Sequence, residues 1–227
     1  MEIISVFGGD NNVGTSIAAQ TIAEVLASGG ENILFIDASD SLFDGYTGKT
    51  FDCYGIDQIG ETVNPLQAVT RLNSYDAILG IRGLKRRDYP DDFFNEIFRY
   101  ADGYSRVIID AGSDPRGKLN ILALKTAEKR IFIVRQNPKC IDKFKLAAEN
   151  ILIPEGVYQQ KDIVIINAVR KSRLLFSEAQ VGASLLRNTY KLPYVQKGIK
   201  CEYVRQGLGS ISKKYRKAIL DIINKEL

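Results

Sequence analysis

Residues Gly9-Asp10-Asn11-Asn12-Val13-Gly14-Thr15-Ser16 carry the glycine spacing and closing hydroxyl of the pattern G-x-x-x-x-G-K-[ST], with Thr15 where the lysine would stand. Glycines so placed let main-chain N–H groups converge on phosphate oxygens. A helix opening near Gly14 adds its positive dipole end, and the Ser16 hydroxyl is placed to hold Mg²⁺. Gly9 through Ser16 is therefore the candidate nucleotide-binding loop. Two acidic residues extend the site: Asp110 closes the run Arg106-Val107-Ile108-Ile109, and Asp37 closes Ile33-Leu34-Phe35-Ile36. A carboxylate just past an apolar strand is where Mg²⁺ is met directly or through water. A lone aspartate there also serves as a turn residue or helix N-cap. Ser16 and Asp110 are the candidate metal ligands, and Asp37 and Asp40 the candidate catalytic carboxylates.

The elements around these residues supply the geometry. Ile3-Ile4-Ser5-Val6-Phe7 reads as a strand ending at Gly8-Gly9, the stretch from Ser16 to Ala27 as a helix stopped by Gly29-Gly30, and Ile33 to Ile36 as a buried strand. That is a βαβ unit, the building block of a parallel sheet. Unalternated apolar runs recur at Val107 to Ile109, Ile131 to Val134 and Ile163 to Ile166, with a weaker one at Ala77 to Ile81. Such runs suit strands covered on both faces. Helical patterns lie at Asp91 to Arg99, Lys118 to Ala127, Ile141 to Leu152 and Ser172 to Arg187. The alternation predicts an α/β fold, a doubly wound, mostly parallel sheet flanked by helices in three layers. Residues 41–71 read as loops and short helices, and 1–227 as a single domain. Ligands of such sheets bind at the carboxyl ends of the strands, which is where the loop, Asp37 and Asp110 fall.

Composition narrows the chemistry. The sequence has no histidine, which removes imidazole bases, Ser-His-Asp triads and histidine-ligated metals. Cys53, Cys140 and Cys201 show no metal-ligand spacing and read as idle thiols. A net charge of +4 permits contact with nucleic acid or anionic lipid without arguing for either. Neither a membrane-spanning apolar run nor a signal-peptide pattern is visible, so the expected location is the cytoplasm, with a peripheral place on the inner face of the membrane as the variant reading.

With those residues in view, the chain resembles the ParA/MinD superfamily of deviant Walker-A ATPases, and within it the CpaE/TadZ branch associated with placing pilus machinery. The resemblance runs from Phe7-Gly8-Gly9 through Ile36-Asp37 and Ile109-Asp110 to Val164-Ile165-Ile166-Asn167, whose Asn167 stands where the family contacts adenine. It continues into Leu192-Pro193-Tyr194 and Val204-Arg205-Gln206-Gly207. It implies ATP and Mg²⁺ as cofactors, a homodimer, and protein partners in an assembly or positioning system.

The departures fall on chemical positions. The family's signature lysine, which reaches across the dimer, is here Asp10; the lysine for the β- and γ-phosphates is Thr15; and the hydrolytic aspartate two residues beyond Asp37 is Ser39. Losing two lysines and gaining Asp10 shifts the local charge by about three units, and a close pair is worth roughly 4 kcal/mol at an effective dielectric near 20. The expectation is a degenerate site with weak or no ATP hydrolysis. Asp40 is a stand-in for the missing aspartate, and Lys118 or Arg116 for a missing cation. The alternatives are a working ATP-dependent partition switch, or a subunit that binds no nucleotide.

Surface features complete the reading. The clusters at Lys85 to Arg87, Arg170 to Arg173 and Lys213 to Lys217 read first as solvated surface and second as a DNA-binding face. The stretch 210–227 aligns Ile211, Tyr215, Ile219, Ile222 and Ile223 on one helical face. Packing of that stripe on the chain's own sheet is the first reading, and a membrane grip the second.

Overall fold

The computed structural model describes residues 1–39, 54–60, 63–72, 74–80, 89–170, 188–195 and 212–227. In chain order the elements are β1 (Glu2–Gly8), α1 (Thr15–Ser28), β2 (Ile33–Asp37), a 3-10 turn (Ile56–Gln58), α2 (Pro65–Ala68), β3 (Val69–Leu72), β4 (Tyr75–Ile78), α3 (Phe93–Phe98), β5 (Arg106–Asp110), α4 (Lys118–Thr126), β6 (Lys129–Arg135), α5 (Pro138–Ala147), β7 (Ile163–Val169), β8 (Thr189–Pro193) and α6 (Lys213–Glu226). The strands form one sheet in the order β3-β4-β2-β5-β1-β6-β7-β8. Every pairing is parallel except the β3–β4 hairpin.

The central strands are buried throughout because helices cover both faces. Every residue of β2 is buried, as are Val107 to Asp110 of β5 and Arg130 to Val134 of β6. The strand order reverses direction at β1: the chain steps one way to β2 and the other way from β5 to β6. Right-handed crossovers therefore place α1 on one face and α4 and α5 on the other. Packing agrees, with α6 against α1 and α3 against α4. The doubly wound three-layer fold is as the sequence indicates, and the reversal puts the loop after β1 at the switch point where such sheets bind ligands.

An aromatic cluster fixes one wall of that loop. Phe7 of β1 meets Phe132 of β6 edge-on, and Phe132 in turn packs on Phe144 of α5 and on Tyr158. This anchors α5 beside the loop.

Several elements differ from the sequence expectation. Val69–Leu72 is a strand rather than loop or helix, paired with β4 and tied by an Arg71–Asp76 ion pair of 2.9 Å. Such four-residue edge strands carry too little alternation to be legible. The weak strand candidate begins earlier, at Tyr75, and ends at Ile78. Helix α5 begins at Pro138, capped by the Asn137 side chain, and runs into a π-helical turn over Ala148–Leu152. In α6, Tyr215, Ile219, Ile222 and Ile223 are buried against α1 and β8, so the stripe packs on the chain's own core. Lys213, Lys214 and Lys217 remain exposed. Among the described residues no helix is long and apolar enough to cross a membrane. Cys140 is buried and reduced, and burial raises its thiol pKa. The helical pattern at Ser172 to Arg187, the clusters at 85–87 and 171–173, Val204 to Gly207, Asp40, Cys53 and Cys201 lie outside the described residues.

Candidate phosphate-binding site

The loop from Gly9 to Gly14 joins the end of β1 to α1. Gly8 N–H donates to the Gly112 carbonyl at 2.7 Å and Gly9 N–H to the Ile133 carbonyl at 2.8 Å, so the loop starts pinned to both neighbours of β1. Gly9 is required by closeness: a Cβ there would sit 2.9 Å from both Val134 and Phe144. Asn12 (φ 57°) and Gly14 (φ 90°) adopt left-handed backbone. Left-handed residues interleaved with ordinary ones turn successive N–H groups toward one side, the conformation of an anion-binding concavity. Helix α1 then opens with no side-chain cap and no acidic residue in its first turn, so its leading N–H groups and dipole face the same space. Val13 is buried and anchors the loop.

The cleft in front of this loop holds about 420 Å³ and is lined by uncharged groups, among them Asn11, Asn12, Thr15, Ser16, Ser39 and Ser113. Thr15, at the lysine position, turns back toward Gly8, its hydroxyl 2.3 Å from where a Cβ on Gly8 would be. The Ser113 hydroxyl donates to Asn11 Oδ1 at 2.7 Å and closes one rim.

Asp37 and Asp110 end adjacent strands in register and are fully buried. Neither lines the cleft. Asp37 Oδ1 accepts from the Ser39 N–H at 2.9 Å and from the Ser39 hydroxyl. Asp110 Oδ1 accepts from the Gly112 N–H at 3.1 Å. Both carboxylates thus act as turn residues holding the two groups, Ser39 and Gly112, that do line it. Asn120 locks the same corner, donating to the Ala111 carbonyl at 2.5 Å.

Asp10 is not left facing the ligand space as an isolated charge. Lys143 of α5 reaches it with Nζ at 2.9 Å from Oδ1, and this hydrogen-bonded cation holds the Asp10 carboxyl below the usual carboxylate range. The sequence predicts a repulsive loop; this pair cancels one of the three charge changes. The cations singled out for that role do something else. Lys118 pairs with Asp91, and with Arg116 it lines a separate groove against Phe94 on α3. Lys143 is far from the loop in sequence, and only the placement of α5 by its aromatic anchor brings it there.

Asn167, at the end of β7, is joined to the loop. Its Nδ2 donates to the Val13 carbonyl at 2.9 Å, and its Oδ1 accepts from the Ala168 N–H at 2.8 Å and the Tyr215 hydroxyl at 3.3 Å. Its amide is thereby engaged within the fold, binding loop, β7 and α6 together. Beside it, Arg170 stacks its guanidinium 3.7 Å over the Tyr194 ring.

The residues fit a magnesium phosphate better than a bare triphosphate. The loop presents main-chain donors and a hydroxyl at Ser16 with carboxylates one residue layer behind, but among the described residues no cationic side chain lines the cleft to balance several negative charges. A divalent cation would supply that charge.

The fold is shared with known proteins at low sequence identity. A chain of the MinC:MinD cell division protein complex of Aquifex aeolicus matches with a TM-score of 0.81 at 16% identity, covering 100% of this chain and 97% of that one. A plasmid partition protein of Borrelia burgdorferi, solved with AMPPNP, gives 0.80 at 16%, covering 100% and 99%. The septum site-determining protein MinD of Pyrococcus horikoshii, solved with Mg-ADP, gives 0.76 at 13%, covering 99% and 96%. By sequence, no protein-family model and no curated protein matches the chain.

Proposed function

We propose that this chain is a positioning or assembly factor of the ParA/MinD kind, nearest in character to CpaE/TadZ proteins, that binds a magnesium nucleotide weakly and hydrolyses it slowly or not at all. It works in the cytoplasm as a homodimer that recruits protein partners. The observation that carries this reading is the state of the loop: a backbone shaped for phosphate, with Thr15 folded back on Gly8 and Asp10 occupied by Lys143. The neighbours solved with AMPPNP and Mg-ADP support phosphate as the ligand class.

Each residue then has a task. Main-chain N–H groups around Asn12 and Gly14, with the start of α1, hold the phosphate oxygens. The Ser16 hydroxyl would hold the cation, while Asp37 and Asp110 orient Ser39 and Gly112. Bound Mg²⁺ would neutralise phosphate charge and polarise the phosphoryl group. Binding can persist without the lysines; fast phosphoryl transfer cannot, because charge developing in the transition state meets no fixed cation among the described residues.

The test is turnover of ATP by the purified chain with Mg²⁺, beside its Ser16→Ala variant. The reading expects a rate at or near the uncatalysed background in both. Steady turnover that Ser16→Ala abolishes overturns it.

A further inference from the structure

Helix α1 carries a residue that its packing does not explain. Gln20 lies one turn beyond Ser16, on a buried stretch with Ala18, Ala19, Ile22, Ala23 and Thr21, whose hydroxyl donates to the Ile17 carbonyl. Its side chain is 1% exposed. Among the described residues, neither Nε2 nor Oε1 of Gln20 meets a hydrogen-bond partner. A buried amide with both ends unsatisfied costs stability, and native proteins rarely keep one without a use. Gln20 is also part of the wall of the phosphate cleft, with Ser16, Ser39 and Gly112. Side chains of a helix lean toward its N-terminus, so this amide leans toward Ser16 and the loop.

We infer that Gln20 holds the hydration shell of a divalent cation bound in this cleft, a binding role that rests on the magnesium-phosphate reading above. The chemistry favours coordinated water over phosphate as its partner. Water on a cation points its protons outward and needs acceptors around it. The buried carboxylates are displaced behind Ser39 and Gly112, so neutral oxygens of the cleft wall must serve. Gln20 Oε1 is one of these, and among the described residues it has no competing partner. The Nε2 donor is then turned to a neighbouring hydroxyl or phosphate oxygen. A purely structural glutamine would have found partners within the core; an adapter for ordered water has none until the cation arrives.

The experiment compares the wild-type full chain with Gln20→Met, close in volume and unable to accept strongly, using inorganic pyrophosphate and Mg²⁺ as probes in calorimetry. Gln20→Met is expected to raise the Mg²⁺ concentration for half-maximal pyrophosphate binding about tenfold, as loss of one acceptor to a charged group would. Saturating Mg²⁺ should restore the pyrophosphate affinity to within about twofold. Without ligand, the variant should melt about 2–6 °C higher than wild type, because the orphan amide is gone. Gln20→Leu is the second variant and should behave alike. An unchanged Mg²⁺ requirement, a loss that persists at saturating Mg²⁺, or a lowered melting point in both variants overturns the assignment. If wild type binds pyrophosphate and the variants bind equally well, Gln20 is excluded while the phosphate reading stands. If wild type binds none at any Mg²⁺ concentration, both fall.

Discussion

Lys143 Nζ lies 2.9 Å from Asp10 Oδ1, so a helix on the far side of the β1–β6 pair returns a positive charge to a loop whose own sequence carries a negative one. The pair is solvent-facing, with the lysine side chain 64% exposed, and its contribution to folding is about 0–1 kcal/mol. Its consequence is electrostatic. With Lys143→Met, Asp10 faces the phosphate uncompensated, and affinity for Mg-ADP should fall about five- to tenfold, as for a screened pair worth about 1 kcal/mol. The double variant Asp10→Asn, Lys143→Met should recover most of it. Calorimetry on the four proteins of that cycle checks the coupling.

Thr15→Lys should strengthen nucleotide binding at the loop. A cation projecting from the first residue of α1 would add attraction that the present cleft lacks, and about a tenfold or greater gain in Mg-ATP affinity is expected from one partly solvated pair. The gain should shrink as salt is raised. Titration at low and high ionic strength measures both.

Asn167 is a brace. Replacing it with alanine removes the donor to the Val13 carbonyl and leaves the buried Tyr215 hydroxyl without its Asn167 partner. About 1–3 kcal/mol of stability should be lost, read from denaturant midpoints. Amide exchange should quicken in residues 10–14 more than in β1.

A buried ion pair provides a control remote from the cleft. Arg130 and Asp162 join the starts of β6 and β7 at 3.2 Å, with side chains only 8% and 3% exposed. Breaking it by Asp162→Asn should cost about 3–5 kcal/mol, because a buried guanidinium loses its counter-charge. Phosphate binding at temperatures where the variant is folded should be unchanged.

The C-terminal helix has its own pH response. Glu226 is held below its usual range, chiefly by the Tyr190 hydroxyl and then by Asn188, while that hydrogen bond pushes Tyr190 up to about 12. A depressed carboxyl stabilises the fold above its unfolded value near 4.5 and loses that contribution as pH falls through the folded one. A raised tyrosine stabilises below 10 and loses it as pH climbs toward 12. Tyr190→Phe should therefore lower stability at neutral pH and flatten both limbs of the melting profile, most clearly between pH 10 and 12.

Much of this was legible in the sequence because it is local. The spacing from Gly9 to Ser16, the apolar runs of the central strands and the aspartates closing β2 and β5 are short-range patterns, and they placed the candidate site at the carboxyl ends of the strands. Contacts between distant segments were not legible. Lys143 depends on how Phe144 docks against Phe132 and Tyr158. Asn167 stands at a base-contacting position by resemblance, and its bond to Val13 shows only in the fold. Gln20 read as an ordinary helical residue, since nothing in a one-dimensional pattern tells a satisfied amide from an orphan. Asp37 and Asp110 carry the bonds of the turn-residue description and stand one layer behind the cleft.

On the proposed reading, main-chain donors hold the phosphate while a divalent cation supplies the positive charge. Calorimetric titration of the full chain with ATP, once with excess Mg²⁺ and once with EDTA, puts it to the question most directly. Weak, saturable binding with Mg²⁺ and its loss in EDTA are expected. Equal affinity without the metal, or no heat under either condition, would contradict it.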